Sequence, residues 1–431
     1  MKKTLRLQKT VAALAMTGAF LFQGCAPKEE ALSFKKPLNI VLIVSDGHVP
    51  FTINAYDTLS VFTRTPGIDS LAKGGNLFSD FREEGGWEVW RQIEDSIPRL
   101  LSKNGYSTAF FGLWDHEKKP QSFQKTTILQ GEGSYYNPML ISDGNLLFKE
   151  GYVSDVLTDE ASEWLKEQRG NSPFMLILHH YALNGPWMPA GEDLGAFNPE
   201  DFPPMQPEDS LLEDFIRKLN PVYHLKMADK KGKIHTPNEP RLETMGRDLY
   251  RRDIRSYDPL TPGRMNYTQQ KAWDSHYDQI IEKYRSSSPK GDRFSQWKYL
   301  RFLEDYLETA NSIDRSVSRM MSTIEEEGLE NNTVFIYTST GSITGESSLK
   351  IPLIIKMPKG LRVGEGFMTF AGEIDSKVSD KDLVPTILQF ACEDISQTTE
   401  GKALVDNLLK KDPSLKEKKG FSLSSLFPKE K

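Results

Sequence analysis

Cysteine is almost absent from this chain: only Cys25 and Cys392 occur in 431 residues. A small disulfide-stapled scaffold is therefore excluded, and with Cys25 read as a lipidation site no intrachain bridge is left to form. Long hydrophobic runs are missing as well. The apolar stretch from Val11 to Phe22 is too short to span a bilayer comfortably, and no other segment is long enough. Internal repeats are lacking, and low complexity is confined to the charged end, Lys410 to Lys431. What is present is a globular composition, 38% hydrophobic and 10% aromatic with a net charge of −6, enough for a large core in one or two domains and not that of a disordered chain.

The N-terminus is a processing signal. Lys2, Lys3, Arg6 and Lys9 precede the apolar stretch, and Gly24-Cys25 follows it. The segment LFQGC resembles a bacterial lipoprotein signal, which implies cleavage before Cys25 and acylation of its thiol; an ordinary cleaved signal peptide is the alternative. Lys28-Glu29-Glu30 resembles a signal for surface-exposed lipoproteins. The expected division is a signal peptide at 1–24, a lipidated linker at 25–36, an α/β domain at 37–405 and a charged tail at 406–431. Export to the bacterial outer membrane or cell surface follows.

From residue 37 the pattern alternates strand and helix. Asn39 to Ser45 reads as a strand buried on both faces, because Ile40 to Val44 is an unbroken apolar run. Thr65 and Pro66 read as N-cap and first residue of a helix stopped by Gly74-Gly75, and Ser96 as the opening of another that closes near Gly105. Strands are expected at Tyr106 to Phe111, Phe174 to Leu178, Val334 to Thr338 and Ile351 to Met357. Helices are expected at Asp155 to Gln168, Phe302 to Glu327 and Asp382 to Phe390. The fold class is α/β, a mainly parallel sheet flanked by helices on both faces. Between Arg217 and Lys298 the period disappears, and 18 Lys and Arg stand against 10 Asp and Glu, which reads as an irregular basic excursion. Cys392, in LVPTILQFAC, is expected to be buried and inert.

Ligands in open α/β sheets sit beyond the carboxyl ends of the strands, so Asp46, directly after the first strand, is a candidate metal or substrate ligand. A turn or capping aspartate is the equal alternative.

The order of segments resembles the sulfatase family of the alkaline phosphatase superfamily, and its bacterial glucosamine-6-sulfatase type in particular. LNIVLIVSDGH, TPGIDSLAKGGNLFSDF, IPRLLSKNGYSTAFFGLWDHE, GEGSYYNPMLISDG, PFMLILHHYALNGPWMPA and FSQWKYLRFLEDYLETANSIDRSVSRMMSTIEEEGLENNTVFIYTS carry the likeness, from residue 37 to about 405. The resemblance implies a sulfatase-like fold, a divalent cation, calcium in the family, and a nucleophile in a Cys/Ser-x-Pro-x-Arg motif. It also implies that the family's small C-terminal antiparallel subdomain is largely absent.

The residues depart from that chemistry. Between Phe81 and Ile97 stands REEGGWEVWRQIEDS, which holds neither cysteine nor a complete Ser-x-Pro-x-Arg motif. The family's Asp-Asp pair is Asp46-Gly47, its Gly-Lys-Trp-His is Gly112 to Asp115 with Leu113 for the lysine, and its Pro-His-x-Pro-Trp histidine falls on Asn184. The late metal pair becomes Ser339-Thr340-Gly341, so Asp46 remains as a vestigial ligand, short of the oxygen shell calcium needs. The expectation is a chain that has lost hydrolysis, has no catalytic residues or cofactor, and retains sugar binding. An active hydrolase with a rebuilt site is the alternative: Asp46, His48, Asp115, His116, His179 and His180 would suit zinc or manganese, although adjacent His179 and His180 must point to opposite faces of a strand. Trp114, Asn184 and Trp187 are the candidate substrate contacts, with Trp87 and Trp90 beside the altered segment; aromatic plugs filling space are the alternative. A sulfated glycan and, through lipid, the membrane are the expected partners, and nucleic acid is not. Cys25→Ser is expected to move the mature protein from the membrane fraction to the soluble fraction; unchanged membrane association would overturn the lipid-anchor reading.

Overall fold

In the computed structural model the described residues are 34, 36–56, 63–114, 116, 120–130, 134–168, 172–183, 187–198, 200, 227–228, 234–235, 265–290, 292–340, 350–363, 367–393 and 400–411. They fall within one compact unit, Leu32–Leu415. Ten strands form the central sheet: β1 (Asn39–Asp46), β2 (Asn76–Phe78), β3 (Ser107–Trp114), β4 (Lys125–Gln130), β5 (Met139–Ser142), β6 (Asn145–Phe148), β7 (Phe174–His180), β8 (Thr333–Thr340), β9 (Leu353–Lys356) and β10 (Gly372–Ile374). Their order is β10-β2-β9-β8-β1-β7-β3-β4-β5-β6. The stretch β8-β1-β7-β3-β4 is parallel throughout, whereas β9, β5 and β6 run antiparallel to their neighbours. The mainly parallel sheet is thus observed, with antiparallel flanks that a strand-helix alternation does not reveal.

The unbroken apolar run of β1 has the cause expected of it. Val41 and Ile43 pack into one core with α1 (Pro66–Gly74), α4 (Val153–Lys166) and α6 (Asp292–Glu326). Ile40, Leu42 and Val44 pack on the other face with α2 (Gly86–Arg91), α3 (Ile97–Lys103) and α7 (Leu383–Phe390). Every residue of β1 is buried. Thr65 stands at the N-cap of α1, but its hydroxyl turns to Asp69 (2.9 Å), and the amides of Gly67 and Ile68 are met by the carboxylate of Asp314 from α6 (3.0 and 2.8 Å). Helix α1 is thereby tied to α6 by charge-assisted bonds.

Several expectations are corrected. The excursion from Arg217 to Lys298 is regular at its C-terminal end: α5 (Tyr267–Ser287) opens with a capping box in which Asn266 and Gln269 exchange side-chain and backbone bonds. Trp273, Tyr277 and Ile281, four residues apart, bury one stripe of it, and α6 already begins at Asp292 rather than near Phe302. Ser96 does not open a helix, because the chain is helical from Gly86 onward. The charged tail starts later than residue 406: Leu409–Lys411 is a strand paired antiparallel with Phe367–Thr369. Cys392 is exposed, carried outward by a left-handed backbone (φ 60°) just beyond α7. Cys25, the signal segment and the basic residues Arg251, Arg252 and Arg255 lie outside the described residues.

Strands β3 and β7 meet at Gly112 opposite His179. Gly112 has φ +132°, and a Cβ there would collide with the carbonyl oxygen of His179. Gly112→Ala is expected to lower stability in urea unfolding by roughly 3 kcal/mol, within the range of severe backbone clashes; a loss under about 0.5 kcal/mol would show that the two strands relax around the methyl group.

Candidate functional site

The carboxyl ends of β1, β7 and β3 converge on a buried polar chain. Asp46 ends β1, and His179 lies beside Val44 in register on β7, so both side chains face the α2–α3 side of the sheet. His179 Nδ1 donates to Glu94 Oε1 (2.8 Å) and Nε2 donates to Asp46 Oδ1 (3.3 Å). Glu94 Oε2 accepts from His116 Nε2 (2.6 Å), and Asp46 Oδ1 also accepts from the hydroxyl of Thr340 (2.5 Å). Asp46, Glu94 and His179 are each less than a tenth exposed.

Glu94 reaches this position because of a local break in helical spacing. The chain is α-helical over Gly86–Arg91, widens to a π turn over Gln92–Ser96, and resumes as α-helix at Ile97. Pro98 follows the turn. It has no amide hydrogen for the carbonyl of Glu94, and its ring would clash with that carbonyl in a regular helix. The wider turn, in which the Ile97 amide bonds the carbonyl of Gln92, removes the conflict. The N-terminus of this helix is fixed by Asp380, whose buried carboxylate accepts the amides of Glu84, Gly85 and Gly86 at 2.8–2.9 Å.

Ionised carboxylates only accept hydrogen bonds, so an imidazole between two of them must donate from both nitrogens. Burial opposes charge on His179, but the hydrogen bonds and charges of Asp46 and Glu94 outweigh it and raise its pKa from 6.5 to about 10. Burial likewise acts against ionised Glu94, yet His116 and His179 hold its pKa below the ordinary value. His180 points the other way, to Ser316 Oγ on α6 (2.8 Å), and burial lowers its pKa to about 3. The two adjacent histidines serve opposite faces, as strand geometry demands. His48 is fully buried with its ring nitrogen bonded to the Tyr337 hydroxyl, and burial lowers it to about 3.

Calcium was the family's implied ion. Asp46 Oδ1 already takes two hydrogen bonds, and a protonated imidazole is interposed between Asp46 and Glu94. A hard cation wanting six or more oxygens finds no such donor set among the described residues at these strand ends. The described residues do not fit the ion.

The aromatic candidates divide differently from expectation. Trp114 is buried, with its ring against Phe110 (5.0 Å) and His116 (4.5 Å), and Trp187 is buried with its indole N–H on the Leu183 carbonyl (3.0 Å) and its ring on Tyr306. Both rings are packed against protein, as the space-filling alternative has it. Asn184 and Asp115 lie outside the described residues. Trp87 is 53% exposed and stands over His116 at 4.7 Å, so the chain of contacts from solvent to Asp46 begins there. Glu94 was missed in the sequence; Pro98 four residues later, inside a helical pattern, was the available signal.

The sequence model of the sulfatase family matches residues 86–393. The chain belongs to the sulfatase family. It is 29% identical over 427 residues to an N-acetylglucosamine-6-O-sulfatase of Bacteroides thetaiotaomicron, covering 90% of this chain and 73% of that protein. An arylsulfatase of Clostridium perfringens is 24% identical, covering 73% of this chain and 62% of that one. Among solved structures, a protein in complex with its substrate D-glucosamine-2-N,6-O-disulfate superposes with a TM-score of 0.67 at 27% identity, covering 86% of this chain and 80% of that one. The sulfatase fold is thus present, while the charged residues at its strand ends are bonded to one another.

Removing one member of a buried charge pair leaves the other uncompensated, at a cost of about 3–5 kcal/mol. Glu94→Gln is expected to lose stability of that order at pH 7. A group whose folded pKa is raised stabilises fully below its unfolded value and ceases to as pH rises through the folded one. The stability gap between wild type and His179→Gln should therefore be widest below pH 6.5 and close as pH approaches about 10. Urea unfolding across that range checks both; a gap that is flat, or that widens with pH, would refute the protonated bridge.

Proposed function

We propose that this member of the sulfatase family binds a sulfated sugar without hydrolysing it, exported and anchored through lipid on Cys25. The observation that carries the reading is Glu94. It lies in REEGGWEVWRQIEDS, the segment that stands where the resemblance would put the Cys/Ser-x-Pro-x-Arg nucleophile, and its carboxylate is locked between His116 and His179. Sulfate-ester cleavage needs a nucleophile, a polarising cation and charge on the leaving side. Here the strand-end carboxylates are committed to imidazoles, and Leu113 stands where the family carries a cationic lysine. The sugar class comes from the relatives, which act on N-acetylglucosamine 6-sulfate and bind D-glucosamine-2-N,6-O-disulfate.

Trp87 supplies the stacking face. It is exposed, its ring leans on His116, and His116 in turn donates to buried Glu94, so the platform is rigid at its base. A second reading, an active sulfatase, is favoured by the 29% identity to a glucosamine sulfatase over 90% of the chain. One experiment separates the two. Purified protein is mixed with D-glucosamine-2-N,6-O-disulfate, with and without millimolar calcium, and both free sulfate and binding are followed. The expected result is binding, no sulfate release above background, no effect of calcium, and at least a tenfold loss of affinity in Trp87→Ala, as removal of an aromatic platform worth about 1.4 kcal/mol would give. Turnover abolished by Asp46→Ala would establish the active reading instead, and absence of binding would remove the proposed one.

A further inference from the structure

A second polar cluster, built from other residues, lies where α5 meets α6. His276 is on α5; Glu304 and Glu308 are one turn apart on α6 and share a face. One ligand atom from each of the three lies within 4.8 Å of the others. Glu308 is fully buried: its Oε1 accepts the amide of Gly195 (2.7 Å), and its Oε2 has no hydrogen-bond partner. His276 Nε2 also has none, and it stands 3.8 Å from Glu304 Oε1, beyond hydrogen-bonding reach. The remaining oxygens are occupied from outside. Arg301 binds Glu304 Oε2 (2.5 Å) and Asp305 Oδ1 (2.6 Å), and the Tyr277 hydroxyl donates to Asp305 (2.7 Å).

We propose that His276, Glu304 and Glu308 form a binding site for a divalent transition ion, zinc or manganese, that clasps α5 and the Gly195 turn to α6. Buried polar atoms almost always have partners, so an unpaired carboxylate oxygen and an unpaired imidazole nitrogen aimed at one another's neighbourhood ask for a shared third party. Charge points the same way: burial and the neighbouring Glu304 and Asp305 carboxyls push the Glu308 pKa up to about 9, and a bound cation in place of that proton would relieve both. One imidazole and two carboxylates suit zinc or manganese, whereas calcium takes an all-oxygen shell of six or more. An ion about 2.1 Å from each donor places tetrahedral ligands about 3.4 Å apart, so the present spacing closes with small side-chain movements. Arg301 would act as the outer partner that orients Glu304. Three protein ligands leave one position for water on the side where His276 is partly exposed.

The test uses the full mature chain, stripped with chelator and then dialysed with zinc or manganese. The expected result is about one ion retained per chain, with a rise in melting temperature of about 3 °C or more when free ion is well above its dissociation constant. Glu308→Gln and His276→Gln should abolish both, while Asp46→Asn should keep both. No stoichiometric retention and no shift in wild type would overturn the site. So would retention that survives both substitutions, or that is lost in Asp46→Asn, which would move the ion to the strand ends. Because the wild-type titration is decisive alone, a variant that fails to fold does not shelter the proposal.

Discussion

His179 sits between two carboxylates at the ends of three parallel strands, and the surrounding structure is arranged to make that position tolerable. Two buried anions facing one another across a sheet edge repel strongly in a low-dielectric interior, and the protonated ring offsets both. Asp46 is fixed by β1 and Thr340, Glu94 by the π turn before Pro98, and His116 by its packing against Trp114 and Trp87. Asp46 and Glu94 both depend on His179 for their charge balance. The segment from Gly86 to Ser96 has a definite structural part: its helix, with the amides at its start held by Asp380, delivers the acid that completes the arrangement.

In other members of this fold the family pattern implies a metal at the strand ends, and a metal and an imidazolium solve one electrostatic problem in different ways. A divalent ion neutralises several carboxylates and leaves coordination positions for substrate. A histidine neutralises two and leaves none, because both its donors are used. The bonded oxygens of Asp46 and Glu94 are thus engaged within the protein, while Trp87 above His116 faces outward.

Much of the fold was legible in the residues. Ile40 to Val44 announced a strand buried on two faces, and the alternation of side chains along a strand was enough to send His179 and His180 to opposite sides. The apolar stripe of α6 was visible from Phe302 onward, though its first turns were not, since Asp292 to Lys298 mix charge and aromatics without period. Helix α5 was readable in hindsight: Asn266 with Gln269 is a capping box, and Trp273, Tyr277 and Ile281 are spaced by four. It was obscured by the surrounding prolines and basic residues. The site was less legible than the fold. Glu94 meets His179 across 85 residues of sequence separation, and no local pattern encodes that contact. Trp114 and Trp187 were candidate substrate contacts from their place at the strand ends, with space-filling as the alternative, and in the fold their rings pack beside Phe110 and Tyr306.

The protonated bridge can be observed directly. In a ring-nitrogen NMR titration of 15N-histidine-labelled protein, with His179 assigned by its Gln variant, both nitrogens should carry protons at pH 8 and lose one only near pH 10. A His179 that titrates at or below its ordinary 6.5 would contradict the account, because a neutral ring cannot hold Asp46 and Glu94 together.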